Sequence, residues 1–457
     1  MKTYKISYII FVLFLLQICT SCEKMIEVNT PDNQITSQQV YEDVQTANAA
    51  LAGLYATLWD NSPLAGDQTG KLLGTYSDDL DYYATASTTG ILELSNNTQV
   101  DSNPAVYAYW SSAYQKIYTA NAIIEGTQNS TALPAAEKNR IKGEALLIRS
   151  ILYYYLQQIF GDIPYPDSTN YQINQSLTKV ASAEVLTRLE TDLGQSISLL
   201  VDEYRNTERI FPNRKVALLM LAKVYMLQNK WSESEGILKE IKQSSLYQFE
   251  TNITKVFNKS GAHILWQLKP KNPGDATREA AAYYFINVAP SNFALSQNLI
   301  TAFNSGDLRK QNWIATVSFN GNAWYRADKY KNRTNNTTEY SVIFRLEEVY
   351  LLLAEVLAQQ NKIPEALPYL NATRQRAGIA SLILPLSKET FLNEVLLENR
   401  KEFFTEMGHR FLDLKRLNQL NILFPAKPNW KEYHKVWPLP QKDLLLNPNL
   451  NPQNNGY

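Results

Sequence analysis

The 457 residues carry 44 basic and 44 acidic side chains, so there is no positive field to attract a phosphate backbone, which argues against nucleic acid as a partner. Both cysteines, Cys19 and Cys22, lie at the N-terminus, which leaves the body of the chain without a disulfide or a thiolate metal site. The 28 Tyr and 8 Trp supply flat faces with a polar edge, suited to helix packing and equally to stacking on sugars or peptides.

Lys2 and Lys5 precede an apolar run, Ile9 to Ile18 (IIFVLFLLQI). The run is shorter than the ~20 residues a membrane-spanning helix needs, and it suits a secretory leader. Cys19-Thr20-Ser21-Cys22 follows, with a small residue directly before a cysteine, the pattern cut by a lipoprotein signal peptidase. Residues 1–21 therefore read as a leader, Cys22 as a lipidated N-terminus, and 22–34 as a polar tether. Cys19 departs from the larger apolar residue usual at its position, and an ordinary leader followed by an incidental cysteine is the alternative. Loss of Lys2 and Lys5 leaves 42 basic against 44 acidic residues, a net charge of −2.

From 35 onward helical periodicity sets in. Val40, Val44, Ala47, Leu51, Leu54 and Leu58 form one apolar stripe, and Trp110, Tyr114, Ile117 and Ile124 a second. A third helix starts near Pro134, runs through Ile141, Ile148, Leu152 and Ile159, and stops at Gly161-Asp162-Ile163-Pro164. Two later segments share a finer spacing. Leu221-Ala222 leads to Tyr225, Ser234 and Leu238, and Leu353-Ala354 to Leu357, Ala366 and Leu370. Small residues at facing positions let two antiparallel helices approach closely, the logic of tetratricopeptide-type pairs. The spacing places such pairs within about 137–245 and 344–376. His263 to Leu268 reads as a short strand, while 64–103 and 313–333 read as long loops on the scaffold. The predicted fold is all-α, with tetratricopeptide-like helix pairs, elaborated loops and little β structure. The single domain 35–457 has an N-terminal part over about 35–205 and a C-terminal part over about 260–457.

Four segments carry a family resemblance. They are Ala145 to Tyr165 (ALLIRSILYYYLQQIFGDIPY); Arg345 to Gly378, with its Leu-x-x-Ala-Glu helix and Asn-x-x-Arg-x-Arg-Ala-Gly ending; Glu398 to Arg416 (ENRKEFFTEMGHRFLDLKR); and the tail with Trp437-Pro438-Leu439-Pro440 and Asn447-Pro448-Asn449-Leu450. With the lipobox, this set resembles the SusD/RagB family of nutrient-binding outer-membrane lipoproteins. Asn399, Met407 and Gln453-Asn454-Asn455 depart from the family pattern. The resemblance implies a lipid-anchored protein on the cell exterior that binds an oligosaccharide, or in some members a peptide, and caps a SusC-like TonB-dependent transporter. Lipid on Cys22 would hold it at the membrane at ~0.8 kcal/mol per buried methylene.

Candidate ligand residues are the loop aromatics Tyr76, Tyr82, Tyr83, Trp313, Trp324 and Tyr325, since sugar rings stack their C–H faces on aromatic planes. Asp78 and Asp79, near Asp81, are candidates for holding sugar hydroxyls or a calcium ion, with a turn or capping role as the plain alternative. Glycoside hydrolysis needs two opposed carboxylates about 5–10 Å apart, which one loop is poorly built to supply. Trp110, Trp231 and Trp437 read as packing residues. The charged run 398–416 reads as structural, with Glu406–Arg410 and Arg410–Asp413 at intrahelical ion-pair spacing, and Arg345–Glu348 likewise. His263, His409 and His434 show no metal-binding spacing, and no cofactor is called for. A surface glycoside hydrolase and a protein-binding helical adaptor are the readings from other functional classes.

Overall fold

The computed structural model describes residues 39–86 and 88–457; the leader, Cys22 and the tether lie outside them. Val40 falls in a short turn of 3-10 helix, and the first α-helix, Val44–Leu58, begins where the Asp43 carboxylate accepts from the backbone N–H groups of Gln45 and Thr46. Its stripe of Ala47, Leu51, Leu54 and Leu58 is fully buried. The helix Pro104–Asn129 starts with Asn103 as cap and proline in its first turn, where the missing N–H costs nothing. Ala135–Phe160 ends at Gly161, whose φ of 78° turns the chain out of the helix.

The tetratricopeptide-like pairs are present. Arg214–Leu227 packs on Trp231–Gln243, and Leu346–Gln359 packs on Ile363–Arg376. Ala222, Ser234, Ala354 and Ala366 have no exposed surface, and the Ser234 hydroxyl donates to the Ala222 carbonyl at 3.1 Å across the first pair. Gln360 and Lys362 both reach Glu235, each at 2.7 Å, which ties the second pair to the first.

The segments read as long loops carry short elements of their own, and the strand expected over His263 to Leu268 is present at 264–268. Segment 64–103 contains a helix, Gln68–Tyr76, and strand β1, Leu80–Tyr82. A two-stranded antiparallel sheet joins β2, Ile264–Leu268, to β6, Ser341–Arg345. Strand β3 covers Phe293–Leu295, β4 Ile314–Phe319 and β5 Asn322–Ala327. These three join β1 in an antiparallel sheet of order β1-β3-β5-β4, with Leu80 opposite Leu295 and Leu295 opposite Tyr325.

The main core runs from Tyr41 to Leu439. Its C-terminal keystone is Trp437, whose ring meets Tyr76, Tyr109 and Phe160 edge-on at centroid distances of 5.7, 5.8 and 5.9 Å. Trp110 is buried with it and Trp231 packs against it, as the regular spacing implies. A second cluster, including Leu80, Leu295, Leu299, Trp313 and Phe404, lies beneath the four-stranded sheet.

Candidate ligand-binding face

Alternation along β5 sorts its side chains. Tyr325 turns toward the cluster beneath the sheet, together with Tyr82. Trp324 turns the other way and packs on Phe285, Ala294 and Val317. Tyr83 continues from β1, its N–H donating to the Asn292 carbonyl at 2.7 Å, and its hydroxyl meets the Trp324 indole. Beside them lies Tyr284, 40% exposed, with the Arg326 and Arg333 guanidinium groups 4.7 and 4.2 Å from its ring centroid. Arg326 also donates to the Phe285 carbonyl at 3.0 Å and to Asp328 at 2.7 Å. Tyr83, Trp324 and Tyr284 thus form an open platform with fixed guanidinium groups at one end. Ile286, Val288 and Phe319 extend it with exposed apolar surface.

Of the residues expected to meet ligand, the exposed Tyr83 and the half-buried Trp324 are brought together here, while Tyr82 and Tyr325, also half-buried, turn to the other side of the same sheet. Tyr284, Arg326 and Arg333 are missed by the sequence reasoning. Tyr283-Tyr284-Phe285 is an aromatic run in which Tyr283 and Phe285 are buried and Tyr284 is not, and no local pattern marks the exposed one.

Four expectations are corrected. Tyr76 has no exposed surface; its hydroxyl donates to the His434 carbonyl at 2.9 Å and accepts from Gln99 at 3.0 Å. Trp313 is 2% exposed, donates its indole N–H to the Ile253 carbonyl at 3.1 Å, and packs on Phe257. Neither ring has a face left for a sugar. Asp78 is clamped by Arg410 through contacts of 2.8 and 3.1 Å, and Asp79 by Arg400 at 2.8 Å. Burial pushes the Asp78 carboxyl up, but Arg410 and Arg400 outweigh it and hold the group below its ordinary value. At Asp79 burial prevails, and the carboxyl lies above it. Both are structural salt bridges.

The intrahelical pairs expected in 398–416 are largely replaced by long-range ones. Glu406 binds Arg345 and Lys329 rather than Arg410. Arg345 also meets Glu402 at 2.5 Å and turns to Glu347 rather than Glu348. Asp413 does keep a local partner, but it is Arg416 at 2.8 Å. Among the described residues, no group of three or more His, Cys, Asp or Glu side chains is placed to hold a metal ion.

Other depressions differ in character. Two of about 650 and 830 Å³ lie between Val44–Leu58 and Pro104–Asn129, lined mainly by small and polar side chains such as Ala56, Ser111 and Ser112. A smaller one of about 260 Å³ opens beside β1, between Asp81, Tyr82, Asn97, Lys427 and Asn429.

Residues 37–226 match the family described as starch-binding, associating with the outer membrane, and residues 294–457 match the SusD family. A SusD-like protein, P25 of Formosa agariphila, is 24% identical, over 99% of this chain and 100% of its own length. A SusD superfamily protein from Bacteroides vulgatus superposes with a TM-score of 0.81 at 19% identity, covering 91% of this chain and 100% of that one. Surface glycan-binding protein A from Bacteroides thetaiotaomicron, solved with laminarihexaose, superposes at 0.75 with 18% identity, covering 90% and 99%.

Proposed function

Because the chain belongs to the SusD/RagB family, we propose that it is a non-catalytic surface lipoprotein, anchored through Cys22 in the outer membrane. In this reading it captures an oligosaccharide or polysaccharide and delivers it to a SusC-like TonB-dependent transporter. The observation that carries the reading is the platform of Tyr83, Trp324 and Tyr284. The exposed rings of Tyr83 and Tyr284 and the half-buried ring of Trp324, held in place by a sheet and by guanidinium groups, suit the C–H faces of sugar rings, and Arg333 adds donors for hydroxyls. Relatives of the same fold whose ligand is known include one solved with laminarihexaose, which supports a glycan as the class of ligand.

The non-catalytic part rests on the chemistry of the platform. Asp328, the carboxylate nearest Arg326, is tied to that arginine and to Lys331 at 2.7 and 3.0 Å. An inverting or retaining pair needs two carboxyls facing each other across the bond to be cleaved; Asp328 is held in ion pairs just after β5, and Asp81, whose carboxyl is raised, lies on β1 with β3 between them.

The test is affinity electrophoresis of the folded domain in gels containing a panel of polysaccharides, with Trp324→Ala as the variant. Retardation by one glycan family, weakened at least tenfold in Trp324→Ala, is the expected result. Reducing ends released from the same glycan would overturn the non-catalytic reading. Absence of retardation by every glycan would shift the ligand class to peptides.

A further inference from the structure

The cavity beside β1 has a composition unlike the platform. Asp81 lines it with an exposed side chain, and among the described residues no side chain or backbone group hydrogen-bonds its carboxylate; partial desolvation at the cavity rim pushes that carboxyl above its ordinary value. Opposite stands Lys427, whose ammonium donates to the carbonyls of Thr75 and Ser95 at 2.6 and 2.9 Å. A third N–H is left over. Burial lowers this ammonium to about 8, so it stays largely charged at neutral pH. Among the described residues Lys427 makes no ion pair. Acceptor and donor therefore share one cavity without closing on each other.

Asn97 completes the wall. It is 3% exposed, its side-chain N–H donates to the Tyr76 carbonyl at 3.0 Å, and its Oδ1 is buried without a partner. That oxygen has no accessible surface, so Asn97 shapes the wall through its hydrogen bond to Tyr76 rather than by offering an acceptor to the cavity.

We propose that this cavity is a second binding site, a subsite for a single neutral sugar ring whose hydroxyls bridge Asp81 and Lys427 while Tyr82 walls one side. It rests on the reading of the protein as a glycan receptor. The charges select the class of ligand. An anion would face the Asp81 carboxylate, and a metal ion would face the Lys427 ammonium with only one carboxylate to hold it. A polyol meets both groups, since each hydroxyl both donates and accepts. The size agrees: about 260 Å³ is below the roughly 300–1,000 Å³ of pockets for drug-sized ligands. Asp81, Tyr82 and Tyr83 are consecutive, so one strand serves both cavity and platform.

The test is saturation-transfer NMR of the folded domain with glucose, galactose, mannose, xylose and fucose, and with glucuronate and glucosamine as charged comparisons. The variant is Asp81→Asn. Because the Asp81 carboxylate holds no protein group, this variant keeps the wild-type melting midpoint, which is measured alongside. Binding of at least one neutral sugar by the wild type, weakened at least tenfold in Asp81→Asn, is the expected result. Binding of none of the neutral sugars, preference for glucuronate or glucosamine, or equal binding by Asp81→Asn overturns the proposal. The two readings fail separately. Polysaccharide retardation that is lost in Trp324→Ala but indifferent to Asp81→Asn keeps the platform and removes the subsite. Sugar binding that depends on Asp81 without any polysaccharide retardation does the reverse.

Discussion

Trp313 and Trp324 stand in one stretch of sequence with the same surroundings of Asn, Gly and aromatic residues, yet their fates differ. Trp313 anchors the cluster beneath the sheet, and Trp313→Ala is expected to cost about 3–5 kcal/mol, read as a lowered melting midpoint, whereas Trp324→Ala acts on glycan affinity. Tyr76, Asp78 and Asp79 divide from Tyr83 in the same way. Side-chain type shows what a residue can do; exposure decides whether it does so. Glu279 is a further case that its sequence context hides. It is 6% exposed, its carboxyl accepts from the Ser341 hydroxyl at 2.6 Å, and burial, with Asp67 and Glu406 nearby, raises it from 4.5 to about 8. Between those values the folded state holds a proton that the unfolded chain releases, so stability falls as pH rises through this window, at up to about 1.4 kcal/mol per pH unit. Glu279→Gln keeps an acceptor for Ser341 and removes the titration. Its melting midpoint is expected to exceed that of the wild type by a margin that grows from pH 5 to pH 8, and a constant difference would contradict the assignment.

At the level of elements, helices were legible because their signals are local: an Asn or Asp cap, a stripe at steps of three and four, a glycine exit. Of the strands, the one expected over His263 to Leu268 is present at 264–268, and the others were not legible. β1 and β3 are three residues each, too short for alternation to register, and Leu80 finds its partner, Leu295, 215 residues further along the chain. The charged run 398–416 misled in a related way. It is two helices, Lys388–Phe403 and His409–Arg416, broken by Thr405, Met407 and Gly408 with φ of 62°, 44° and 75°. The break turns Glu406 and Arg410 to different partners, so their spacing of four no longer places them on one helix face. At Gly408 an added Cβ would stand 2.5 Å from Leu73 Cδ1. Gly408→Ala therefore combines a left-handed backbone with a clash, and should lower stability by about 1–3 kcal/mol, measured by denaturant unfolding.

Across the whole molecule, one buried ionic network joins distant segments. Arg309, Arg345 and Arg376 converge on Glu402, which has no exposed surface. Burial raises the Glu402 carboxyl, and the three guanidinium groups more than reverse this, holding it far below the carboxylate range. Removing the carboxylate strands those cations in the interior, so Glu402→Ala is expected to cost at least about 3–5 kcal/mol, and a melting midpoint near that of the wild type would refute the role. The network fastens the segment around residue 309, the start and end of the second helix pair, and the Lys388–Phe403 helix beneath the sheet that carries the platform. The sequence by itself determined the helical scaffold, the paired-helix pattern and the family, because periodicity, caps and short motifs are complete within a few turns of chain. Only the tertiary structure decided which aromatics face outward, which arginine meets which carboxylate, and where Asp81 and Lys427 share a cavity. Burial and ion pairing are set by whichever segments pack together, and here those segments lie from 26 residues apart, as for Arg376 and Glu402, to 332 apart, as for Asp78 and Arg410.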